Sequence, residues 1–462
     1  MGYRNKDKLT IFFLALLIAS GIFGLTKIIQ DNVKKPNNLH NVSESVEQSV
    51  KGDAEMVNCE VISPLVDKLI ESTSLSRKWY LKESGLDNQY TQIFLEISNQ
   101  NITETDLKFF DLKYVIDGTD IKGKIDYSND SKKWIAKVDL STLEVGEYTL
   151  AISSDIKHCE YTNEKKLLFY LSYPVYVTWT LDWEGSDVKQ SDLDLISLLS
   201  SKYNMPITHF FNPYIYYRLS PQRASELTKW VITRSKSGKD SIGLHLHMYN
   251  KLLEVYGVTP RSGGWGYANY GVGYDVPSAE YTYEEYKKIL EGSKQDFIKN
   301  GLSTPIMFRA GGWFADEENL RALADSGFNI DSSGRSPYTL GSNKLQGPWS
   351  LSSTTQPYKL NSLDQNNISA SNMDLWEIPN NGGSSWDYDE NKLIDFFKDN
   401  YKGGISKEIK AVTYLSHPQA FALKDNKRMD ILLNNISRYS LMSDSGPVVF
   451  STIDKLPQVG EN

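Results

Sequence analysis

Val175-Tyr-Val-Thr-Trp-Thr-Leu-Asp-Trp-Glu-Gly185 decides the reading of the chain. Its first seven residues are apolar, aromatic or β-branched, and they read as a strand. Two acids, Asp182 and Glu184, stand where the strand gives out. From here onward strand and helix signals alternate. The spacing predicts a helix over 192–203 and a strand over 206–211. Ser220-Pro221 opens a helix with a capping residue and a proline at its first position, and Gly238 follows its end. Leu227, Trp230, Val231 and Arg234 share one face of that helix. A strand over 242–247 is followed by Thr282-Tyr-Glu-Glu285, a capping box that starts another helix. Further strands are expected over 306–309, 328–331, 375–378, 412–416 and 448–452. Helices are expected from Asp316 to Gly327 and near 391–401 and 427–442. Repeated β–α units point to a parallel sheet, open or closed into a barrel.

Reactive side chains gather at the ends of these strands. Asp182 and Glu184 follow the first, His245 and His247 end the third, and Arg309 ends the fourth. Asp331 ends the fifth, Glu377 lies in the sixth and His417 follows the seventh. In a parallel barrel all of these open onto one face, where active sites form. Asp182 with Glu184 and His245 with His247 are i, i+2 pairs, which in extended chain point the same way. Two imidazoles and a carboxylate are the donor set of a catalytic zinc site with one position left for water. His209, inside the second strand, reads as structural. His40 and His158 lie outside this region.

Five segments resemble the polysaccharide deacetylases, the NodB-homology or carbohydrate esterase family 4 group. They are 177–185 with its acidic pair, Ile242-Gly-Leu-His-Leu-His247, Phe308-Arg-Ala-Gly-Gly312, Asp331, and Leu415-Ser-His417. The resemblance runs from about Tyr173 to Leu456. It implies a distorted (β/α) barrel and metal-dependent hydrolysis of acetyl groups on a sugar polymer, at amide rather than peptide bonds, with N-acetyl favoured. Glu184, His245 and His247 would then hold a divalent metal, zinc by preference. Asp182 would act as base, Arg309 would orient it, and His417 would protonate the leaving amine. Asp182 and Glu184 could exchange roles. Asp331, Glu377, Tyr249, Trp265 and Trp313 would support the site or touch substrate. The chain departs from the family pattern in two places: Trp183 separates the acids, and the histidines stand two apart, with Tyr249 where the family's second histidine falls. These departures motivate an alternative, a catalytically silent carbohydrate-binding protein. A metal-free glycoside hydrolase is disfavoured by the two histidines.

The segment 250–280 is too long for an ordinary connection. It carries Gly263-Gly-Trp-Gly-Tyr267 and Tyr270-Gly-Val-Gly-Tyr274, flexible backbone with rings suited to stacking on sugars, or a lid packed for stability alone. The run from Asn380 to Trp386 follows another strand end and can line the same cleft.

Upstream, 57–172 carries short β-rich runs with Asp-Gly, Asn-Asp and Gly-Glu turns, read as a small β-sandwich-like accessory module before the barrel domain of 173–462. Residues 31–56 read as a polar flexible stalk. Residues 9–29 are apolar apart from Lys27 and follow Arg4, Lys6 and Lys8. That pattern predicts a single-pass anchor within 1–30, with a cytoplasmic tip and the body outside the cytoplasm. A cleaved signal peptide is the rival reading. Cys59 and Cys159 could pair in an oxidising compartment, and two cysteines exclude a disulfide-dense scaffold. With 50 Lys and Arg against 58 Asp and Glu, net charge is −8, a poor match to nucleic acid. The expected partners are an acetylated polysaccharide and the membrane.

Overall fold

The strand that begins at Val175 is buried along its whole length, and a sheet is built outward from it. The computed structural model describes residues 57–82, 88–98 and 106–456. The expected anchor and stalk lie outside these. Among the described residues no helix is long and apolar enough to cross a membrane.

Among the described residues seven strands precede Val175: β1 (Trp79–Leu81), β2 (Gln92–Ser98), β3 (Phe110–Ile116), β4 (Lys122–Ser128), β5 (Lys133–Asp139), β6 (Gly146–Ile156) and β7 (Glu164–Ser172). They form one sheet in the order β1-β7-β6-β3-β4-β5-β2, antiparallel except for β1 on β7. Strand β4 pairs with β3 through Lys122–Ile125 and with β5 through Asp126–Ser128, so it belongs to two leaves. Alternate residues of β2 and β5 point inward, and Ile93, Leu95 and Val138 share one core with Leu112, Ile152 and Phe169. A helix, α1 (Cys59–Ser72), lays Ile62, Val66, Leu69 and Ile70 on that core. Cys59 at its start is disulfide-bonded to Cys159.

The second sheet is of the curled α/β barrel type. Its strands are β8 (Val175–Asp182), β9 (Ile207–Phe211), β10 (Ser241–Leu246), β11 (Met307–Ala310) and β12 (Ile330–Asp331), a small hairpin of β13 (Thr339–Leu340) and β14 (Leu345–Gln346) standing apart, then β15 (Tyr358–Lys359), β16 (Trp376–Glu377), β17 (Gly383–Ser384), β18 (Lys410–Ser416) and β19 (Val448–Ser451). The order is β15-β16-β12-β11-β10-β9-β8-β18-β17, with β19 on the first half of β8. All pairs of this sheet are parallel, as the repeated β–α units imply, except β15 with β16. The segment after β16 closes the gap between the two edges. Ile378 donates its N–H to Asp331, Asn380 to Gly334, and Gly382 to Thr413 on β18, so one stretch of chain leaves one edge and joins the other.

Helices α2 (Gln190–Tyr203), α3 (Ile215–Arg218), α4 (Pro221–Lys236), α5 (Asn250–Val255), α6 (Tyr283–Lys299), α7 (Glu317–Asp325), α8 (Glu390–Asn400) and α9 (Asp425–Ile436) connect the strands. Their starts follow local chemistry. The Ser220 hydroxyl accepts from Arg223 N–H, Thr282 and Glu285 cap reciprocally, and Asp316 accepts from Asn319 N–H. Each such cap is worth about 1 kcal/mol. Leu227 and Val231 of α4, Ile289 and Leu290 of α6, and Leu432 and Leu433 of α9 pack on the sheet's Val177, Trp179 and Leu244 in one core. The two sheets also touch: Asp444 accepts the main-chain N–H groups of Lys78 and Trp79, and the Ser172 hydroxyl accepts from Ser406 N–H.

Candidate active site

Parallel strands deliver their C-terminal ends to one side of the sheet, and the register sets which residues meet there. His245 is paired with Arg309 across β10 and β11, and Ser416, one before His417, with Leu181, one before Asp182. Asp182, Glu184, His245, His247 and His417 line one cavity of about 500 Å³.

Glu184 stands at its centre. Its Oε2 lies 2.8 Å from His247 Nε2, and its Oε1 lies 3.6 Å from His245 Nε2 and 3.4 Å from His417 Nε2. His245 Nδ1 lies 3.0 Å from the Arg309 main-chain oxygen. That bond puts the proton on Nδ1 and turns Nε2 inward, where it is buried with no hydrogen-bond partner. His247 is held from the side. Its ring stacks on Tyr274 at 4.5 Å between centroids, and Gly311 lies so close that a Cβ there would stand 2.4 Å from Nδ1.

Burial would raise the Glu184 carboxyl, but the charge of His247 and the approach of His245 and His417 hold it well below the usual carboxylate range. Burial would lower His245, and the Asp182 and then Glu184 charges raise it instead. His417 is likewise opposed by burial, yet Glu184, Asp182 and Asp425 push it up to about 9. Among the described residues Glu184, His245 and His247 are the one group whose donor atoms, within 4.8 Å of one another, could hold a metal ion. A carboxylate, two imidazoles and an inward nitrogen without a partner fit a divalent cation.

Asp182 is committed elsewhere. Arg309 Nη1 donates to Asp182 Oδ1 at 2.9 Å and to the Thr180 hydroxyl at 2.6 Å. Its Nε and Nη2 donate to the main-chain and hydroxyl oxygens of Ser332. Arg309 is fully buried, so the guanidinium is locked before any substrate arrives. Asp331 and Glu377 lie behind it, fully buried, and neither lines the cavity. Asp331 accepts from the Ser333 hydroxyl and N–H, Ser333 in turn accepts from Ala310 N–H, and Glu377 accepts from Gly334 N–H. Asp331 is engaged by Ser333, whereas Glu377 meets backbone through one oxygen and keeps Oε2 buried without a hydrogen-bond partner.

The three aromatic candidates part ways. Trp313 lines the cavity, with Tyr267, Tyr274, Tyr338, Trp386 and Tyr388. Trp265 does not: it is buried beneath the wall against Tyr274 and Phe314. Tyr249 is also buried, and its hydroxyl donates to the Glu184 main-chain oxygen at 2.6 Å. His209 contacts Asp240 at 3.0 Å, away from the cavity. Sequence reasoning missed Asp275, whose carboxylate accepts the N–H groups of Gly263, Tyr267 and Ala268 and so shapes the aromatic loop. It also missed Asp425, bonded to Ser385 beside His417, and Arg335, which lines the cavity. An acid beside a glycine-rich run was the available signal for Asp275; Asp425 and Arg335 had none.

No family model matches the chain, and no curated protein matches it. Solved structures similar to it include a protein of Mycobacterium smegmatis assigned to the polysaccharide deacetylases, at 14% identity and TM-score 0.39 over 62% of this chain and 90% of that one. A family 4 carbohydrate esterase from Streptomyces lividans, solved with acetate, is similar at 12% identity and TM-score 0.30, over 57% and 88%. The peptidoglycan deacetylase PdaC of Bacillus subtilis is similar at 13% identity and TM-score 0.31, over 62% and 91%. Likeness at these identities and scores transfers no activity, ligand or residue role to this chain.

Proposed function

We propose that the chain is a metal-dependent hydrolase that removes acetyl groups, N-acetyl by preference, from a cell-envelope or extracellular polysaccharide. One observation carries the reading: Glu184, His245 and His247 converge in a cavity that also holds an arginine-locked Asp182, His417 and a wall of aromatic rings. The motif resemblance points the same way. Glu184, His245 and His247 would hold a divalent cation, zinc by its donors. When bound it would polarise the acetyl carbonyl and lower the pKa of water.

The chain's own groups do the rest. Asp182, fixed by Arg309, accepts the proton of the attacking water. Glu184 faces both imidazoles and Asp182 faces the arginine, which favours Glu184 as ligand and Asp182 as base. His417, whose charged form Glu184, Asp182 and Asp425 favour, delivers its proton to the departing nitrogen. Without that proton the amine is the poorer leaving group and water is expelled instead. Tyr267, Tyr274, Trp313 and Trp386 offer faces on which sugar rings stack.

Asp182→Asn and His417→Ala are each expected to lower acetate release from acetylated glycans by roughly 10²–10⁴-fold. Each should keep the metal, and the double variant should be little worse than either. Wild-type protein with metal bound that releases no acetate from any glycan would overturn the hydrolase reading.

The same reading puts the body outside the cytoplasm, tethered through residues 9–29. The disulfide between Cys59 and Cys159 supports an oxidising compartment. Protease added to intact cells should remove the body, and protection of it would refute this topology.

A further inference from the structure

Arg309, behind Asp182, and Arg335, on the cavity wall, are equipped differently. The guanidinium of Arg309 donates to Thr180, Asp182 and Ser332. Arg335 lines the cavity wall, and among the described residues its guanidinium makes no hydrogen bond. Its nearest acid is Asp387, 4.0 Å from Nη1 on a side chain 42% exposed. An ion pair that loose and that wet contributes little. Yet the Arg335 side chain is only 12% exposed. It is pinned by two rings, its Cζ standing 4.1 Å from the Trp313 ring centre and 4.4 Å from that of Tyr338.

Charged groups withdrawn this far from water normally have partners. Arg335 has its orientation fixed and its donors free, on the wall that Glu184 and His417 share. Rings that hold a guanidinium remove the entropy cost of ordering it, and its planar fork of N–H groups matches a carboxylate in two parallel bonds. Arg335 is the one arginine or lysine among the residues lining the cavity, and unlike His417 it does not face Glu184, so it is the place where an anionic group of the substrate can be received.

We propose that Arg335 binds a carboxylate carried by the polysaccharide, which makes the substrate an acidic acetylated glycan and not a neutral one. This rests on the reading of the cavity as a glycan-deacetylating site and adds the substrate's charge to it. Such a carboxylate can sit on a sugar ring, as in a uronate, or on an ether-linked side arm, as in N-acetylmuramic acid.

The test uses the full chain in detergent and two acidic probes. One is an oligosaccharide alternating N-acetylglucosamine with glucuronate. The other alternates N-acetylglucosamine with N-acetylmuramic acid. Each is compared with the same oligomer whose carboxylates are methyl esters, equal in length and without charge. Acetate release gives kcat and KM, and calorimetry gives affinity without turnover.

The acid form of at least one probe should bind more tightly than its ester by roughly ten- to a hundredfold, the range for a hydrogen bond to a charged group. The preferred probe identifies the carboxylate's source. Arg335→Gln should bring the acid-to-ester ratio to about one through KM, and Arg335→Lys, which keeps charge without the fork, should restore part of it. Equal binding of acid and ester by wild-type protein for both probes overturns the proposal. So does an Arg335→Gln variant that weakens acid and ester alike. A preference for acid that persists in calorimetry while no probe releases acetate leaves Arg335 its role and overturns the hydrolase reading instead.

Discussion

His245 gives its Nδ1 to the main-chain oxygen of Arg309, 3.0 Å away on the next strand, and keeps its buried Nε2 for the cavity. One strand's backbone thus sets the tautomer of its neighbour's imidazole, which is how a ligand nitrogen is prepared before a cation arrives.

A first expectation concerns that nitrogen. Zinc added at a hundred times its Kd should stabilise the wild-type chain by about 2.7 kcal/mol, read from the urea midpoint. In the double variant His245→Ala, His247→Ala the shift should vanish and metal content should fall to background, with the fold kept. Full occupancy in that variant would sink the assignment.

Arg309 and Asp182 are both withdrawn from water and joined at 2.9 Å. Removing one partner leaves the other charge uncompensated, so Arg309→Met should cost about 3–5 kcal/mol in stability. Adding Asp182→Asn to it should return part of that loss. A double variant no more stable than Arg309→Met would mean that the arginine acts through Ser332 and Thr180 and not through the acid.

Asp275 organises the aromatic loop by accepting three main-chain N–H groups. Asp275→Ala should speed amide exchange at Gly263, Tyr267 and Ala268 on the order of thirtyfold, about 2 kcal/mol of local opening. KM should rise more than kcat falls, because Tyr267 and Tyr274 form cavity wall and move no protons. Unchanged exchange would show that the loop is held by its ring packing alone.

Burial, and then the charge of Asp331 on the adjoining strand, push Glu377 well above the usual carboxylate range. The folded chain keeps a proton that the unfolded chain gives up near the ordinary value of 4.5. That contribution is fully present below the ordinary value and declines as pH rises toward the folded one. Glu377→Gln keeps the neutral form and the acceptor for Gly334. It should flatten the fall in urea midpoint as pH rises above the ordinary carboxylate value of 4.5. Parallel profiles for variant and wild type would show Glu377 ionised in the fold.

What could be read in the sequence was local. The caps at Ser220, Thr282 and Asp316 declare themselves within four residues, and His245 with His247 reach the same side because extended chain has a period of two. What could not be read depends on distant partners. Strand β4, Lys122–Ser128, is mostly polar and exposed because it turns between two leaves, so no apolar alternation announces it. Helix α1 contains Pro64 and is held by packing on a core contributed by five or more strands. The closure after β16 rests on hydrogen bonds from Ile378, Asn380 and Gly382 to three separate neighbours and on the Asn381 amide, which bonds to Thr355, Ala411 and Thr413. Asp331 and Glu377 sit near strand ends like the others. The Ser333 N–H and hydroxyl and the Gly334 N–H engage them away from the cavity.

The Cys59–Cys159 bond has a mechanical meaning. It ties the first residue of α1 to the approach of β7 and closes a ring spanning a sequence separation of 100. A pull applied upstream of Cys59 crosses the two sulfurs and enters at Cys159, close to β7, which leads directly into β8 beneath Asp182. Everything from α1 through β6 lies off that line of tension and cannot be paid out as slack. Such a pull would load the β7–β8 junction, where Ser172 and Ser406 meet, while the module before it stays folded.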